Sequence, residues 1–332
     1  MTKPDNLVVI GTSHGGLQAL KDVLSALPGT FAAPVLVAMH VGSNNSQLPA
    51  LLQPVTDLKV MHAGDGDVLA AGTVFIAPPD HHMLVDGEAI RLMRGAKENY
   101  SRPAIDPLFR SAAISHRERV IGVVLTGDLD DGTVGLQAIK ACGGIALVQD
   151  PEDAVAPSMP SSALRYVKVD ACLKVTEIAQ RLRKLVSQQR PSGGGPSRTM
   201  ILENTASLTS DVILINSLDE VAPRSPLTCP ECHGVLWEMD SAPLRYRCHT
   251  GHTFGALSMR VSQDNAIEEL LWAAVRAFHE KEGLMSRQQD AVLSQGRTVQ
   301  AEEYALIAEQ ARKHAQSLRD LLEAVNAKSE QL

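Results

Sequence analysis

The chain has 332 residues, of which 44% are hydrophobic, 21% charged and only 3% aromatic, with a net charge of −7. The length suggests about two domains. No apolar run approaches the roughly 20 residues of a membrane helix, and no charged segment leading into an apolar stretch opens the chain as a secretion signal would. The acidic balance argues against non-specific nucleic-acid binding, so a cytoplasmic, globular chain with an aliphatic core is expected. Five cysteines, three of them close together near the C-terminal end, favour a metal site over a disulfide framework.

In chain order, Leu7–Ile10 is a continuous apolar run ending at Gly11, the pattern of a strand buried on both faces. Leu17–Leu27 has helical spacing and stops at Pro28-Gly29. Val35–Met39 is the next strand, and Val74–Ala77, His82–Val85 and Ala89–Met93 are short strands, the last two flanking a hairpin signal at Asp86-Gly87. Pro107–His116 is helical, Val120–Leu125 a strand, Thr133–Cys142 a helix, Ile145–Val148 a strand and Val175–Gln189 a closing helix. Repeated strand–loop–helix units predict a three-layer α/β fold with a mostly parallel sheet and helices on both faces. The expected organisation is a catalytic domain over 1–189, a linker over 190–225 that begins in Arg190–Ser197, a small metal module over 226–256 and a helical hairpin over 257–332. The hairpin comprises Asp264–Gln295 and Val299–Val325, with Ile267, Leu270, Leu271, Ala274 and Phe278 on one face of its first helix.

Gly11-Thr12-Ser13-His14-Gly15 fits G-x-S-x-G between a buried strand and a helix N-terminus. Such a turn exposes a serine hydroxyl, and the amide of the next residue, His14, can face a developing oxyanion. An anion-binding loop or a plain structural turn fits the same local pattern. A serine nucleophile needs a base and an orienting acid, and in parallel α/β sheets functional groups gather at the carboxyl ends of strands. His40 follows the strand Val35–Met39, and Asp128, Asp130 and Asp131 follow Val120–Leu125. Ser, His and Asp thus gather at one sheet edge. His62, His81, His82 and His116 fall in loops or at helix ends and are expected to be solvated.

These residues resemble the catalytic domain of the chemotaxis protein-glutamate methylesterases. The resemblance rests on Gly11–Gly16, Met39-His40, Phe75–His82, Arg102–Ala113, Leu125-Thr126-Gly127 and Asp131-Gly132. It implies a hydrolase that removes methyl groups from glutamate side chains of chemoreceptors, releasing methanol, and that in some members deamidates receptor glutamines. It assigns Ser13 as nucleophile, His40 as general base and acid, and Asp131 as the orienting carboxylate; the backbone amides of His14 and, from the 126–129 loop, Asp128 are expected at the oxyanion. Three departures stand out. Members usually carry a receiver domain ahead of the catalytic one, whereas here the catalytic motifs begin at once, so cis control by phosphorylation is not expected and a separate regulatory protein would take its place. His14 stands where a small residue, often Thr, is usual. Asp128-Leu129 stands where Met-Gly is usual. The expected partner is a methylated chemoreceptor or similar signalling protein; a non-catalytic adaptor that binds receptor segments and a small-molecule carboxylesterase are the alternatives.

Cys229-Pro230-Glu231-Cys232, then Cys248 and His252, form C-x₂-C-x₁₅-C-x₃-H. Two knuckles of this kind place four ligands around zinc, and four protein ligands make a structural site. His233 and His249 are alternative ligands. Cys142 and Cys172 lie apart from the cluster and read as buried small apolar residues.

Overall fold

Leu7–Thr12 (β1) is buried at all six positions, as it must be when helices cover both faces of a sheet. The other strands in chain order are β2 (Val35–Met39), β3 (Lys59–His62), β4 (Thr73–Ile76), β5 (His82–Asp86), β6 (Ala89–Met93), β7 (Val120–Val124), β8 (Ile145–Gln149) and β9 (Ala171–Leu173). In this computed structural model, which describes residues 6–42, 46–209 and 215–329, seven of them form a parallel sheet in the order β3-β4-β2-β1-β7-β8-β9. Alternate residues of β1 divide between two cores. Leu7 and Val9 pack with Phe109 and Leu136 from the helices Ile105–His116 and Thr133–Ala141. Val8 and Ile10 pack with Leu20, Leu24 and Leu182 from the helices Gly16–Ser25 and Val175–Val186. Between β1 and β7 the strand order reverses direction, which opens a crevice at their carboxyl ends.

The turn at Asp86-Gly87 joins β5 and β6 into a separate antiparallel hairpin. The helix expected from Pro107 starts at Ile105, because proline is tolerated in a first turn whose N–H groups lack intrahelical acceptors. Among the described residues no helix is long and apolar enough to cross a membrane.

The chain divides into two compact units, Met1–Met259 and Arg260–Leu332, so residue 189 is not a break between compact units. The stretch read as a linker carries a helix, Arg198–Thr209, and a short turn of helix, Ile215–Leu218; residues 210–214 lie outside the described set. Glu203 of the longer helix is buried and pairs with Arg245 through both guanidinium Nη atoms, at 2.6 and 2.9 Å. A polar segment with one buried acid gives little sign of order, because its partner lies far along the chain. Four antiparallel strands follow, β10 (Arg224–Thr228), β11 (Val235–Ser241), β12 (Leu244–Cys248) and β13 (Thr253–Gly255), with Leu236, Tyr246 and Phe254 in their core.

Two long helices, Ala256–Leu293 and Thr298–Ser329, make up the rest. They lie against each other through Phe278 and His314, whose rings meet edge to face, and through Arg312 and Glu282. Ile267 and Leu270, expected on the buried face, are 51% and 67% exposed. Leu271, Ala274 and Phe278 of that face are half-buried beside the buried Val275, and Ala308, Ala311 and Ala315 of the second helix are buried. The seam thus combines small buried alanines with the Phe278–His314 ring contact.

Candidate active site

Ser13 directly follows β1, His40 follows β2 and Asp131 lies in the loop after β7, so three neighbouring strands deliver them to one edge. The backbone ties these loops together. The Ser13 N–H donates to the Thr126 carbonyl at 2.9 Å, and the His40 N–H to the Thr12 carbonyl at 3.2 Å. Gly15 has φ +77°, and a Cβ there would fall 2.6 Å from Val155 Cβ, so the turn after the serine requires glycine on both counts.

His40 Nδ1 lies 3.1 Å from Ser13 Oγ, and His40 Nε2 lies 2.7 Å from Asp131 Oδ2. An ionised carboxylate only accepts, so Nε2 carries the ring proton and Nδ1 keeps a lone pair for the serine hydroxyl. Ser13 and His40 are half-buried and Asp131 is buried. Burial alone would raise the Asp131 pKa. The hydrogen bond and charge of His40 and the Ile105 N–H outweigh burial and hold it below the ordinary range.

Asp131 is held by more than histidine. Its Oδ2 also accepts the Ile105 N–H at 2.7 Å, and its Oδ1 accepts the N–H groups of Asp106 at 3.1 Å and Gly132 at 2.8 Å. The first two belong to the first turn of the helix Ile105–His116, where free N–H groups and the helix dipole favour an anion. Asn99 Nδ2 donates to Asp131 Oδ1 at 2.8 Å and to Asp106 Oδ2 at 2.7 Å. Burial and the neighbouring Asp131 charge drive the Asp106 pKa well above the carboxylate range. Neither Asn99 nor Asp106 stands out as a site residue in the sequence. Only the block Arg102–Ala113 pointed near them.

The amides of Thr126 and Gly127 are taken internally, by Gln149 Oε1 at 2.9 Å and the Ala156 carbonyl at 3.0 Å. Among the described residues no acceptor takes the amide of His14 or of Asp128. Those are the two amides expected at the oxyanion. Their side chains, both departures from the pattern, meet each other: His14 Nδ1 is 3.1 Å from Asp128 Oδ2, with the two side chains 65% and 62% exposed. So exposed a pair contributes little stability, and its His14 member lines the cleft. The cleft, of about 550 Å³, opens broadly to solvent and is lined by Ser13, His14, Met39 and His40 among others.

Asp130, the neighbour of Asp131, turns away from His40. Its Oδ2 accepts the Leu257 N–H at 3.3 Å, and burial pushes its pKa up to about 6. Of the other histidines, His82 and His116 are buried rather than solvated, each with a ring nitrogen on a backbone carbonyl, Ala96 and Gly87 respectively. Burial lowers the His82 pKa. His62 and His81 also bond to backbone carbonyls. None of the four enters the cleft lining.

A model of the CheB methylesterase family matches residues 8–182, a little over half of the chain. The chain belongs to the CheB methylesterase family. A relative from Leptospira interrogans is 36% identical over 180 residues, 54% of this chain and 93% of the relative. A protein-glutamate methylesterase/protein-glutamine glutaminase of Anaeromyxobacter dehalogenans is 39% identical over 180 residues, and this CheB-family chain spans only 53% of its length. The crystal structure of the Thermotoga maritima CheB methylesterase catalytic domain matches with a TM-score of 0.53 and 33% identity, covering 54% of this chain and 98% of that one.

Cys229, Cys232, Cys248 and His252 come together, their ligand atoms all within 4.8 Å of one another. Cys232 Sγ and Cys248 Sγ are 3.7 Å apart, and His252 Nδ1 is 3.7 Å from Cys229 Sγ and 3.5 Å from Cys248 Sγ. Tetrahedral zinc with Zn–S bonds of about 2.3 Å requires sulfur edges of about 3.8 Å, so these residues fit that metal. His233 and His249 are not in the cluster. Cys142 is buried as expected, whereas Cys172 is exposed.

Proposed function

We propose that this chain is a serine hydrolase that demethylates glutamate methyl esters on chemoreceptor-type proteins in the cytoplasm, with Ser13 as nucleophile, His40 as general base and acid, and Asp131 as the orienting carboxylate. The observation that carries the reading is the unbroken chain Ser13 Oγ–His40 Nδ1–Asp131 at 3.1 and 2.7 Å, on an open cleft. His40 Nδ1 takes the hydroxyl proton as Oγ bonds to the ester carbonyl carbon. The amides of His14 and Asp128 receive the oxyanion. The C–O bond to methoxide then breaks, His40 returns the proton to it, and methanol leaves. Water activated by His40 hydrolyses the acyl-serine to a glutamate carboxylate. With a glutamine side chain the same steps release ammonia, consistent with the double name of the relatives.

The breadth of the cleft favours a side chain presented on a protein surface over a small molecule sealed in a pocket. A base within hydrogen-bond reach of the serine favours turnover over an adaptor role. The test is methanol release from methylated receptor membranes. The intact chain releases it and Ser13→Ala reduces release to the uncatalysed level; equal release by both sinks the reading.

The same reading assigns residues 8–182 to the esterase portion and the Cys/His module to a structural zinc site. Bound zinc would cross-link two turns of a segment too small to hold together through its core alone. The expected result is one zinc per chain by emission spectrometry, falling to under about a tenth in Cys232→Ser/Cys248→Ser. Stoichiometric zinc in that double variant would sink the assignment.

A further inference from the structure

Asn99 connects the metal module to the catalytic carboxylate. Its side chain is buried, and its backbone is left-handed at φ +50°, which asparagine tolerates better than most residues. Its Nδ2 donates to Asp131 and Asp106. Its Oδ1 accepts the Gly255 N–H at 3.1 Å, with Ser258 Oγ at 3.5 Å. Its own N–H donates to the Thr253 carbonyl at 2.8 Å. Thr253 directly follows His252, one of the four clustered ligands. A short run of chain therefore leads from the metal cluster through Asn99 and Asp131 to His40 and Ser13.

The two ends of the asparagine amide are chemically unlike. Nδ2 can face the carboxylates and Oδ1 cannot, because an amide oxygen against Asp131 would lose a donor and add repulsion. The carboxylates set which end faces them, and the Gly255 N–H on the far side holds the amide in place against them. Gly255 also sits where a Cβ would be 2.1 Å from Asp130 Oδ2, so the module can approach this closely only with glycine at that position. Asp130 in turn caps the first turn of the long helix that starts at Ala256.

We propose that Asn99 is a positioning residue for Asp131, and that segment 252–258 of the metal module is the brace that holds it, so that metal occupancy sets the reactivity of Ser13. With the metal bound, Thr253 and Gly255 are held against Asn99, its amide keeps Nδ2 on Asp131, and the carboxylate keeps His40 in the tautomer that accepts the serine proton. With the metal lost, the brace loosens, the amide is free to draw away from Asp131, and His40 loses its fixed orientation. The inference rests on the reading of Ser13 as nucleophile.

The test uses the full chain and three readouts: the rate of Ser13 labelling by a fluorophosphonate, the downfield proton resonance of the His40–Asp131 hydrogen bond, and zinc content. Asn99→Gly keeps the left-handed backbone and deletes the amide; Asn99→Asp keeps the shape and removes the donor. Both should slow labelling about 10–100-fold, lower kcat by the same factor with KM within about twofold, and broaden the downfield resonance, with zinc content unchanged. Gly255→Ala, which retains every metal ligand and Asn99, should slow labelling about tenfold. Chelation of the parent should slow labelling as Asn99→Gly does, while chelation of Asn99→Gly should add little, because both act through one contact. Labelling of Asn99→Gly within twofold of the parent overturns the proposal. So does chelation that slows Asn99→Gly as much as it slows the parent. If the parent labels at Ser13 but releases no methanol, the ester substrate is refuted and this test proceeds on labelling and resonance. A parent chain that never labels refutes both.

Discussion

Asp131→Asn should lower turnover by about 10⁴-fold and destabilise the chain at the same time. Asp131 sits among five donors: three backbone N–H groups, the Asn99 amide and His40. A carboxylate satisfies all of them. A carboxamide turns one oxygen into a donor, and either orientation sets that donor against others. If its nitrogen faces His40, the ring must offer a lone pair at Nε2, so Nδ1 carries the proton and Ser13 has no base. If its nitrogen faces Asn99, it meets three donors on the other side. Burial without a partner costs about 1–3 kcal/mol per group, so a fall in melting temperature should accompany the loss of turnover. Steady-state methanol release and thermal unfolding monitored together check this. Wild-type melting with unchanged kcat would show that Asp131 neither orients His40 nor anchors the helix Ile105–His116.

The second large effect concerns stability. Glu98, Arg110, Glu203, Arg245 and Arg247 are all buried and form one cluster of two acids and three bases. Burial raises the Glu98 pKa, but the charges of Arg110 and Arg247 outweigh it and hold the group at about 2. Burial likewise raises and Arg245 and Arg110 lower the Glu203 pKa, with a net downward shift. Glu203→Ala leaves Arg245 without its bidentate partner in a site closed to water. The expected cost is about 3–5 kcal/mol, the usual penalty for breaking a buried pair from one side. Arg247→Met should be near neutral: Nη1 of Arg247 has no hydrogen-bond partner, its approach to Glu203 is 3.8 Å, and its removal balances the cluster's charge. Chemical denaturation of the three chains decides it; equal costs for the two variants would refute the argument. Because both carboxylates are depressed in the folded state, their contribution is complete above pH about 4.5. It is lost as pH falls through the lowered folded-state values, about 2 for Glu98, so acid unfolding of the parent should come below pH about 4.5 and soften in Glu203→Ala.

The sequence made the reactive residues easier to find than their support. Ser13, His40 and the acids Asp128, Asp130 and Asp131 each follow an apolar run, and the parallel sheet brings such ends together; the choice of Asp131 among the acids came from the family resemblance. The Cys/His cluster was legible for a similar reason: two close pairs of potential ligands on tight turns are a local feature. Asn99, Asp106 and Glu98 act through partners from other elements, and an isolated polar residue in a loop carries no sign of that. The segment 190–225 looked open because glycine and serine dominate its start, while the order of Arg198–Thr209 comes from Glu203 meeting Arg245 across a sheet that forms later in the chain. On the first long helix, Leu271, Ala274 and Phe278 of the expected face are half-buried, whereas Ile267 and Leu270 are exposed, because helical spacing gives a face without saying how far along it a neighbour covers it.

The shared charge cluster and the Asn99 contact also bear on the order of events during synthesis. When a ribosome has just completed the parallel sheet, Arg110 has Glu98 but not Glu203, and Asn99 has Asp131 but no donor behind it. The residues from Leu173, where the sheet ends, to Ser258 take roughly 4–17 s to emerge at about 5–20 residues per second. During that interval the nascent chain holds all three members of its serine–histidine–aspartate set without the brace that aligns them. Catalytic competence would thus arrive late, as a property of the translated length rather than of the domain that carries the chemistry.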